Sequence, residues 1–587
     1  MDASGQFSRL IEIGIALSSE RDTNRLIERI LLEAKDLCNA DGGTVYLRTD
    51  DDRLRFAIMR TDSLDIALGG TTGRDITFAP LNMFDPTTGQ PNHKNVATHA
   101  ALTGTSINIP DAYQAKDFDF SGTKSFDEGT GYRSKSFLTV PLKNHENAVI
   151  GILQLLNAQD PDTGEVVPFD PALQPIIEAL TSQAAVALDN QQLINGQRRL
   201  LDAFIELIAG AIDAKSPYTG GHCQRVPELT KMLAEAACNS DAQPFADFNL
   251  DEDGWYELHI AAWLHDCGKV TTPEYVVDKA TKLETIYNRI HEIRTRFEVA
   301  KNEAEIAYLR GLLKGGDEAK LKAKRDKTLA RLDDDFAFIA KSNVGGEFMN
   351  EADQDRIRRI AATTSWTRTI DDRQGLSYEE MKRGRHLPPT ALPHRESILS
   401  DRPDQIVPRQ DHNWPPRDSH YGFKMKVPDQ AYNFGEIHNL LIQKGTLTAE
   451  ERFKINDHIV QTIVMLEQLP FPRQLANVPE YAGGHHETMI GTGYPKGLTR
   501  DQMSIPARIM AIADIFEALT ASDRPYKPAK TLSESLRIMS FMKKDQHIDP
   551  DLFALFLKSG VYRRYADRFL EPEQIDAIDI ADYLDGD

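Results

Sequence analysis

The spacing of hydrophobic and polar positions over residues 1–165 predicts a sheet flanked by helices. Residues 5–38 repeat their apolar positions every three or four residues, which predicts two helices. After the turn signal Asp41-Gly42-Gly43, the period falls to two in TVYLRTDDDRLRFAIM, which predicts a hairpin. Strand-like stretches return at 136–142 and 148–158. These signals together favour an α+β domain.

A long helix is predicted to follow over residues 166–214, because no proline interrupts the pattern after Pro175. Its apolar positions recur mostly at three or four residues and include Ile177, Leu180, Ala184, Leu188 and Leu193. This spacing favours a parallel coiled-coil seam that links two protomers and couples the first domain to the next. A helix packed inside one domain is the alternative.

The rest of the chain has a helical pattern with one large interruption. Residues 280–340 are highly charged, and Lys314-Gly315-Gly316 divides them into two polar helices, which indicates a solvated antiparallel arm. Residues 385–433 are rich in Pro, His, Asp and Arg and are predicted to be irregular. Helical periodicity resumes near residue 448, and residues 571–587 are expected to form a thin acidic tail.

Composition and charge narrow the class of protein. A chain of 587 residues is too long for one hydrophobic core and predicts several modules. Its net charge of −21 predicts neither nucleic acid nor an anionic membrane as a partner, although a few local Lys and Arg can hold a small phosphorylated ligand. The four cysteines lack CxxC spacing, and no apolar run approaches the ~18 residues that span a bilayer. We therefore expect a soluble, cytoplasmic protein with reduced thiols.

Titratable side chains interrupt several apolar helical stretches in the C-terminal half. In WLHDCGK, residues 263–269, helical spacing places Lys269 on the face that carries His265 and Asp266. Asp514 lies in ARIMAIADIFEALT, where an unpaired carboxylate would be costly. The remaining candidates are imidazoles on or directly after predicted helices: His222, His458, His485 and His486. Five His and two Asp suit a site for two metal ions with nitrogen and oxygen ligands.

The combination of HDCGK, HHETMIGTGYP and ADIFEALTASDRPYK resembles the HD-GYP branch of the HD-domain metal-dependent phosphohydrolases, whose members hydrolyse cyclic di-GMP. The resemblance covers about 200–275 and 436–560. It implies an all-α phosphohydrolase domain over residues 215–570, with a large helical insertion at about 275–435, that converts cyclic di-GMP to linear pGpG or GMP. Hydrolysis of another cyclic dinucleotide or nucleotide stays open. So does a catalytically weak receptor that binds the nucleotide and signals.

The resemblance also implies roles for individual residues. Asp266 would bridge two metal ions, iron or manganese, and act with Lys269 in catalysis. One ion would be held by His222, His265 and Asp514, and the other by His458, His485 and His486. The side chains implied to bind substrate are Lys269, Tyr494, Arg524 and Lys527.

One ligand assignment requires a choice, because His291 and His458 both lie in segments that resemble the helix of the middle histidine. We favour His458, since Thr448 and Glu451 form a capping box before its helix and the distance along the chain to His485 has the family's length. This sequence also departs from the family's pattern. Ile490 replaces an acid in the HHE…GYP segment, and Tyr218 replaces the carboxylate of members with a third metal. We therefore expect two metals and altered turnover or specificity.

Residues 20–160 resemble a GAF domain, the small-ligand sensor fold of cyclic-nucleotide phosphodiesterases and many bacterial regulators. INIPDAY (107–113) and FDEGTGYRSKSFLTVPL (126–142) resemble the loop and strand near the ligand pocket of cyclic-nucleotide-binding members. The candidate ligand contacts are Asp127, Thr130 and Arg133. The resemblance implies a sensor for a cyclic nucleotide or another small ligand. A domain that serves only dimerisation is the alternative.

Overall fold

The structure is a computed structural model that describes residues 3–20, 22–215, 221–346, 348–410, 414–416, 420–522 and 529–584. It divides into two compact units, Met1–Leu201 and Asp202–Asp587. The described residues do not include three that the sequence analysis discusses, namely Tyr218, Arg524 and Lys527. None of the described helices is long and apolar enough to cross a membrane.

The first unit is an antiparallel sheet with helices packed against it. The helices are α1 (Ala3–Ser19), α2 (Thr23–Cys38), α3 (Val96–Thr103), α4 (Ser121–Thr130) and the start of α5 (Gln174–Lys215). The strands are β1 (Ala40–Arg48), β2 (Arg53–Thr61), β3 (Ile66–Gly69), β4 (Leu81–Asn82), β5 (Ile107–Ile109), β6 (Phe137–Lys143), β7 (Val149–Gln159) and β8 (Val166–Val167). Their order is β3-β2-β1-β7-β6-β5, with β4 beside β2 and β8 beside β7. The two opening helices, the hairpin and the two later strands are confirmed.

The apolar face of α5 that was predicted as an interprotomer seam lies mostly in the core of the first unit. Ile177, Leu180, Ala184 and Leu188 are fully buried in the same cluster as Leu26 of α2 and Leu153 of β7. The prediction of an interprotomer seam is therefore wrong for these four positions, and Leu193 is the one predicted seam position that is exposed. A spacing of three or four residues marks a buried helix face, and it does not tell whether the covering surface belongs to the same chain.

The second unit is mainly helical. It contains the end of α5 and then α6 (His222–Cys238), α7 (Glu252–Leu264), α8 (Glu274–Val277), α9 (Ile290–Leu313), α10 (Glu318–Val344), α11 (Glu351–Thr363), α12 (Tyr378–Gly384), α13 (Glu436–Leu440), α14 (Ala449–Glu467), α15 (Val478–Gly483), α16 (Ile505–Thr520), α17 (Leu532–Lys544), α18 (Pro550–Lys558), α19 (Val561–Phe569) and α20 (Ala581–Leu584). The strands β9 (Ser365–Arg368) and β10 (His394–Ser397) form one antiparallel pair, and β11 (Ile406–Pro408) and β12 (Gln430–Asn433) form another.

The insertion between α8 and α13 has a hydrophobic core of its own. The long polar helices α9 and α10 each keep a narrow apolar stripe, with Ile290, Ile293 and Phe297 on the first and Leu332 and Ile339 on the second. These side chains are buried together with residues of α11 and of the chain after β10. The expectation of a solvated spacer is therefore wrong for the base of the arm, where one apolar residue per turn packs each charged helix. Residues 301–331, which form the far end of the two helices, include no buried residue, so the expectation holds there.

The segment expected as a thin acidic tail is attached to the second unit up to residue 584. The Gln574 side-chain amide donates to the carbonyls of Thr520 and Lys530 at 2.8 and 3.0 Å. Tyr583 is buried, and the Lys543 ammonium donates to the Leu584 carbonyl. Local acidic composition did not reveal these contacts, since they depend on side chains far away along the chain.

Candidate metal centre

The seven side chains predicted as metal ligands converge inside the second unit. They form two groups that share Asp266, and the potential ligand atoms within each group lie within 4.8 Å of one another. One group is His222, His265, Asp266 and Asp514, and the other is Asp266, His458, His485 and His486. These are the two predicted sets. His291, the alternative to His458, lies elsewhere, exposed on the first turn of α9 with Nδ1 at 2.8 Å from Arg294.

A turn of 3-10 helix places Asp266 between the two groups. Helix α7 ends at Leu264, so the expectation that it continues through Lys269 is wrong, and Cys267–Thr271 form the tighter turn. The cause is the close approach of α14. A Cβ atom on Gly268 would lie 1.9 Å from the His458 carbonyl oxygen. The Gly268 N–H donates instead to Thr462 Oγ1 at 2.9 Å, which holds the turn against α14.

Asp266 is the centre of both groups by distance. Its Oδ2 lies 3.1 Å from His222 Nε2 and 3.2 Å from His265 Nε2, and its Oδ1 lies 3.1 Å from His458 Nε2. Asp514 Oδ1 completes the first group at 3.4 Å from His222 Nε2. One carboxylate therefore faces both ligand sets, one oxygen to each.

Three of the histidines are held in the tautomer that binds metal through Nε2. The Nδ1 atoms of His265, His458 and His485 each lie 2.5–2.7 Å from the backbone carbonyl three residues earlier. A carbonyl only accepts, so each Nδ1 carries the proton and each Nε2 presents a lone pair. Backbone partners of this kind orient metal-binding imidazoles.

Buried polar atoms in the cluster lack partners within the described part of the chain. His265 Nε2, His485 Nε2 and Asp266 Oδ1 are buried without a hydrogen bond of normal geometry. His458 Nε2 and His486 Nε2 are 3.2 Å apart, although the first of these carries no proton. Buried polar groups that are left unpaired are costly. Cations between these atoms satisfy all of them, so the donor set fits metal ions.

Burial and charge hold three side chains of the cluster in their metal-binding protonation state. Burial lowers the pKa of His485 to about 4. Burial lowers the pKa of His486 well below its usual value as well. Burial raises the pKa of Asp266, but the charge of Lys269 and the neighbouring imidazoles outweigh it and hold the pKa well below the ordinary range. Neutral imidazoles and an ionised carboxylate are the forms that bind metal.

Lys269 provides a positive charge beside the cluster. Its Nζ lies 2.5 Å from Asp266 Oδ2, and 28% of its side chain is exposed. Burial lowers the pKa of this ammonium, but the charges of Asp266 and Asp514 dominate and raise it. Lys269 is therefore a permanent cation at the open side of the site.

Sequence reasoning missed Glu517, which orients His222. Its Oε2 lies 2.5 Å from His222 Nδ1, and its Oε1 accepts from Arg225 Nε at 2.8 Å. Burial raises the pKa of Glu517, but these two partners outweigh it and lower the pKa to about 2. Its position three residues after Asp514 on α16 was the available signal, because that spacing puts both carboxylates on one helix face.

Glu487, the acid of the HHE motif, anchors the loop that follows it. Its carboxylate accepts from the backbone N–H groups of Lys496, Gly497 and Leu498 at 2.7, 3.1 and 2.8 Å. The returning loop stacks the Tyr494 ring on His486, with centroids 4.9 Å apart and planes 21° apart. Tyr494 thus lies beside the second ligand group.

Ile490, the departure from the family's pattern, lies on the outside of this loop. It is 55% exposed and pairs through its backbone with Thr499. It belongs to neither ligand group.

Part of the insertion rests on the same loop. We call residues 420–426 the strap. The Lys424 N–H donates to the Pro495 carbonyl at 2.8 Å, and the Lys496 ammonium lies 6.0 Å from the centre of the Phe423 ring. Just before the strap, the Trp414 indole donates to Asp457 at 2.7 Å, next to His458. The insertion therefore contacts the elements that carry the second ligand group.

Two of the three GAF candidates contact one tyrosine in the first unit. The buried Asp127 accepts from the Tyr113 hydroxyl at 2.7 Å and from the Ser134 N–H at 2.8 Å. The Arg133 guanidinium lies over the Tyr113 ring at 4.7 Å, and the Thr130 hydroxyl donates to the Phe126 carbonyl. Asp127 and Thr130 thus have partners within their own loop and helix, while Arg133 and Tyr113 face outward together.

Comparisons with known proteins identify two domain families. Residues 22–188 match the GAF domain family, and residues 398–552 match the HD domain family. A 3'3'-cGAMP-specific phosphodiesterase 1 of Vibrio cholerae is 34% identical over 133 residues, which are 22% of this chain and 30% of that protein. A cyclic di-GMP phosphodiesterase of Pseudomonas aeruginosa is 36% identical over 140 residues, 24% of this chain and 30% of that protein. A 3'3'-cGAMP-specific phosphodiesterase 3 of Vibrio cholerae is 37% identical over 126 residues, 21% of this chain and 26% of that protein. The chain spans less than a third of the length of each of these relatives.

Proposed function

The chain carries an N-terminal GAF domain and a helical HD domain, and we propose that it is a metal-dependent phosphodiesterase that hydrolyses cyclic di-GMP. The observation that carries this proposal is the pair of ligand groups that share Asp266. Two adjacent cation sites with one common carboxylate suit hydrolysis of a phosphodiester. The relatives named as phosphodiesterases of cyclic dinucleotides support the substrate class.

His222, His265 and Asp514 would hold one ion, and His458, His485 and His486 the other, with Asp266 on both. When bound, iron or manganese supplies activation of water and neutralisation of phosphate charge. The backbone-bound Nδ1 atoms hold three of the imidazoles in place before any ion arrives. Glu517 does the same for His222.

Lys269 and Tyr494 would act on the substrate. The Lys269 ammonium lies beside Asp266. As a fixed cation there, it would stabilise the negative charge that develops on the phosphoryl oxygens as the P–O bond to the leaving hydroxyl breaks. Tyr494 presents a half-buried ring that can stack on a guanine base. Hydrolysis of one phosphodiester gives linear pGpG, and hydrolysis of the second gives two GMP. Arg524 and Lys527, predicted from the resemblance, would clamp a phosphate.

The second candidate substrate is 3'3'-cGAMP, because two of the relatives above are named for it. Metal ions and phosphate clamps do not distinguish guanine from adenine, so the base must be recognised by the loop around Tyr494 and by the strap. Competition between the two substrates at equal concentration, followed by chromatography of the products, decides between them. Faster consumption of 3'3'-cGAMP would replace cyclic di-GMP in this proposal.

Anaerobic metal analysis combined with a hydrolysis assay on the full chain tests the activity. We expect two ions of iron or manganese per chain and formation of pGpG or GMP. Asp266→Asn should abolish turnover, since it removes the shared ligand. Two bound metals without turnover of either cyclic dinucleotide would instead favour a nucleotide receptor.

We also propose that the protein is a homodimer through α5. Four apolar side chains spaced seven residues apart are exposed along this helix: Val186, Leu193, Leu200 and Leu207, at 42, 55, 58 and 67%. A heptad repeat of exposed apolar residues is typical of a two-stranded coiled coil, and a second copy of the chain supplies the matching stripe. The GAF domain would then regulate hydrolysis in response to a small ligand, with Arg133 and Tyr113 as candidate contacts.

A further inference from the structure

The insertion carries an open cavity of about 950 Å³ that shares no residue with the two ligand groups. Its walls come from the first turns of α9, the β9–β10 hairpin, α12 and the 3-10 turn at 403–405. Cavities of roughly 300–1,000 Å³ are typical of small-molecule sites. No domain assignment or resemblance described above gives this cavity a role.

The charge of the lining is opposite to that of the chain. Six arginines and four carboxylates line the cavity, which leaves a formal charge of +2 on a protein of net charge −21. Three of the arginines are compensated: Arg368 by Glu396 at 2.6 Å, Arg402 by Asp372 at 3.0 Å and Arg296 by Glu436 at 2.8 Å. These pairs build the wall.

The other three arginines have no carboxylate partner among the described residues. Arg373 donates to the Leu387 carbonyl, Arg395 to Ser365 Oγ and Arg385 to His386 Nε2. Each of these contacts uses one guanidinium nitrogen, so the other N–H groups of each guanidinium remain as donors. Three uncompensated guanidinium groups around one concave surface attract a multivalent anion, and the fork of each group matches phosphate oxygens.

The same cavity offers apolar surface beside the arginines. Trp366 is half-buried, and Leu376, Met381 and Leu387 also line the cavity. An aromatic ring next to guanidinium groups suits a ligand with a planar base at one end and phosphate at the other. We propose that this cavity binds a nucleoside phosphate at a site separate from the metal centre. The proposal does not depend on the proposed hydrolysis of cyclic di-GMP.

Calorimetric titration of the full chain with GMP, AMP and inorganic phosphate tests the proposal, since none of the three contains a phosphodiester. The test variant is Arg373→Ala/Arg395→Ala. The control is Arg310→Ala/Arg359→Ala, which removes two exposed arginines of the insertion outside the cavity lining. Circular dichroism and the unfolding midpoint of both variants check that the insertion stays folded.

We expect at least one of the two nucleotides to bind the wild type and the control equally. The affinity of that site should fall tenfold or more in the cavity variant, and inorganic phosphate should bind more weakly than the nucleotide. A nucleotide site that keeps its affinity in both variants belongs to the metal centre and contradicts the proposal, as does binding of neither nucleotide. Inorganic phosphate bound as tightly as the nucleotides would reduce the cavity to a plain anion site and overturn the proposal as well.

Discussion

Glu517 reaches the metal centre only through His222, so its contribution can be measured separately from ligation. It is 1% exposed, and its short contact with Nδ1 leaves Nε2 of the same ring facing Asp266. A charged acceptor on the outer nitrogen of a ligand imidazole fixes the ring and raises its basicity. Burial lowers the pKa of His222, but the hydrogen bonds to Asp266 and Glu517 outweigh it and raise the pKa to about 10.

We expect Glu517→Gln to lower metal affinity by about 10- to 100-fold, the usual effect of losing such a partner. The amide still bonds to Nδ1 but carries no charge. Metal content after dialysis against a graded chelator measures the loss. Glu534→Gln, an exposed glutamate on α17, is the control. Excess metal should restore activity in Glu517→Gln, and activity that stays lost in a fully loaded variant would contradict a positioning role.

Lys282 is a buried cation without a carboxylate partner in the described residues. It is 1% exposed, and its Nζ donates to the carbonyls of Leu440 and Ile442 at 3.1 and 2.7 Å. Burial lowers its pKa to about 8. An unfolded lysine titrates near 10.4, so above pH 8 the unfolded chain binds more protons here than the folded chain does. The free energy of unfolding therefore rises with pH in this window.

The expected result is a pH-dependent difference between the wild type and Lys282→Met. From pH 8 to pH 10 the wild type should gain stability relative to the variant by roughly 1 kcal/mol per pH unit. Urea midpoints at pH 7, 8, 9 and 10 give this difference, because all other titrating groups are common to both proteins. A difference that stays constant over the range would show that Lys282 keeps its ordinary pKa.

The residues that sequence reasoning found and those it missed differ in the range of their contacts. Asp514 and His265 were found because a polar group inside an apolar helical stretch is visible locally. Glu487 was not assigned a role, since its partners Lys496, Gly497 and Leu498 become neighbours only when the loop folds back. A metal-ligand residue inside an apolar helix can be recognised from its neighbours in the sequence. A carboxylate that anchors a loop cannot, because its partners are brought close only by folding.

At the scale of elements, the strap connects the insertion to the loop of Tyr494. Its anchor is the Trp414 indole, which donates to the buried Asp457 one residue before His458. Burial raises the pKa of Asp457 and the indole bond opposes this effect. Loss of the bond should loosen the strap from α14 and leave the imidazole of His458 bound to the Ile455 carbonyl.

Trp414→Phe removes this hydrogen bond and keeps an aromatic ring. We expect KM for the cyclic dinucleotide to rise about fivefold, which corresponds to roughly 1 kcal/mol for one hydrogen bond. The metal content should not change. Trp255→Phe, a half-buried tryptophan on α7, is the control. If both variants keep the wild-type KM, the strap takes no part in substrate binding.

The insertion shows why elements were easier to predict than their packing. Its two long helices follow from charge and periodicity: α9 lies within the predicted arm, and α10 begins within it and ends four residues beyond it. Their burial depends on a few residues such as Phe297 and Ile339, whose partners on α11 and after β10 are distant in the sequence. A pattern read along one helix cannot show which other segment covers it.

At the scale of the whole molecule, the exposed heptads of α5 determine whether the protein acts as one chain or two. Leu193 is a central position of the stripe and is 55% exposed. In a coiled coil this side chain inserts between residues of the facing helix, so a charge there would be buried in the dimer and solvated in the monomer. The substitution Leu193→Lys should therefore act on association and leave the fold of the first unit unchanged.

We expect Leu193→Lys to convert the dimer to a monomer, as measured by light scattering across a range of protein concentrations. Asn195→Lys adds the same charge to an exposed position on another face of α5, two residues away, and should remain a dimer. Because Leu193 lies far along the chain from every predicted metal ligand, metal content should be equal in both variants.

The hydrolysis rate of the monomer tests whether association regulates activity. A changed rate with full metal loading would show that pairing of α5 controls the HD domain. A wild type that is monomeric at all concentrations would contradict the coiled-coil proposal outright.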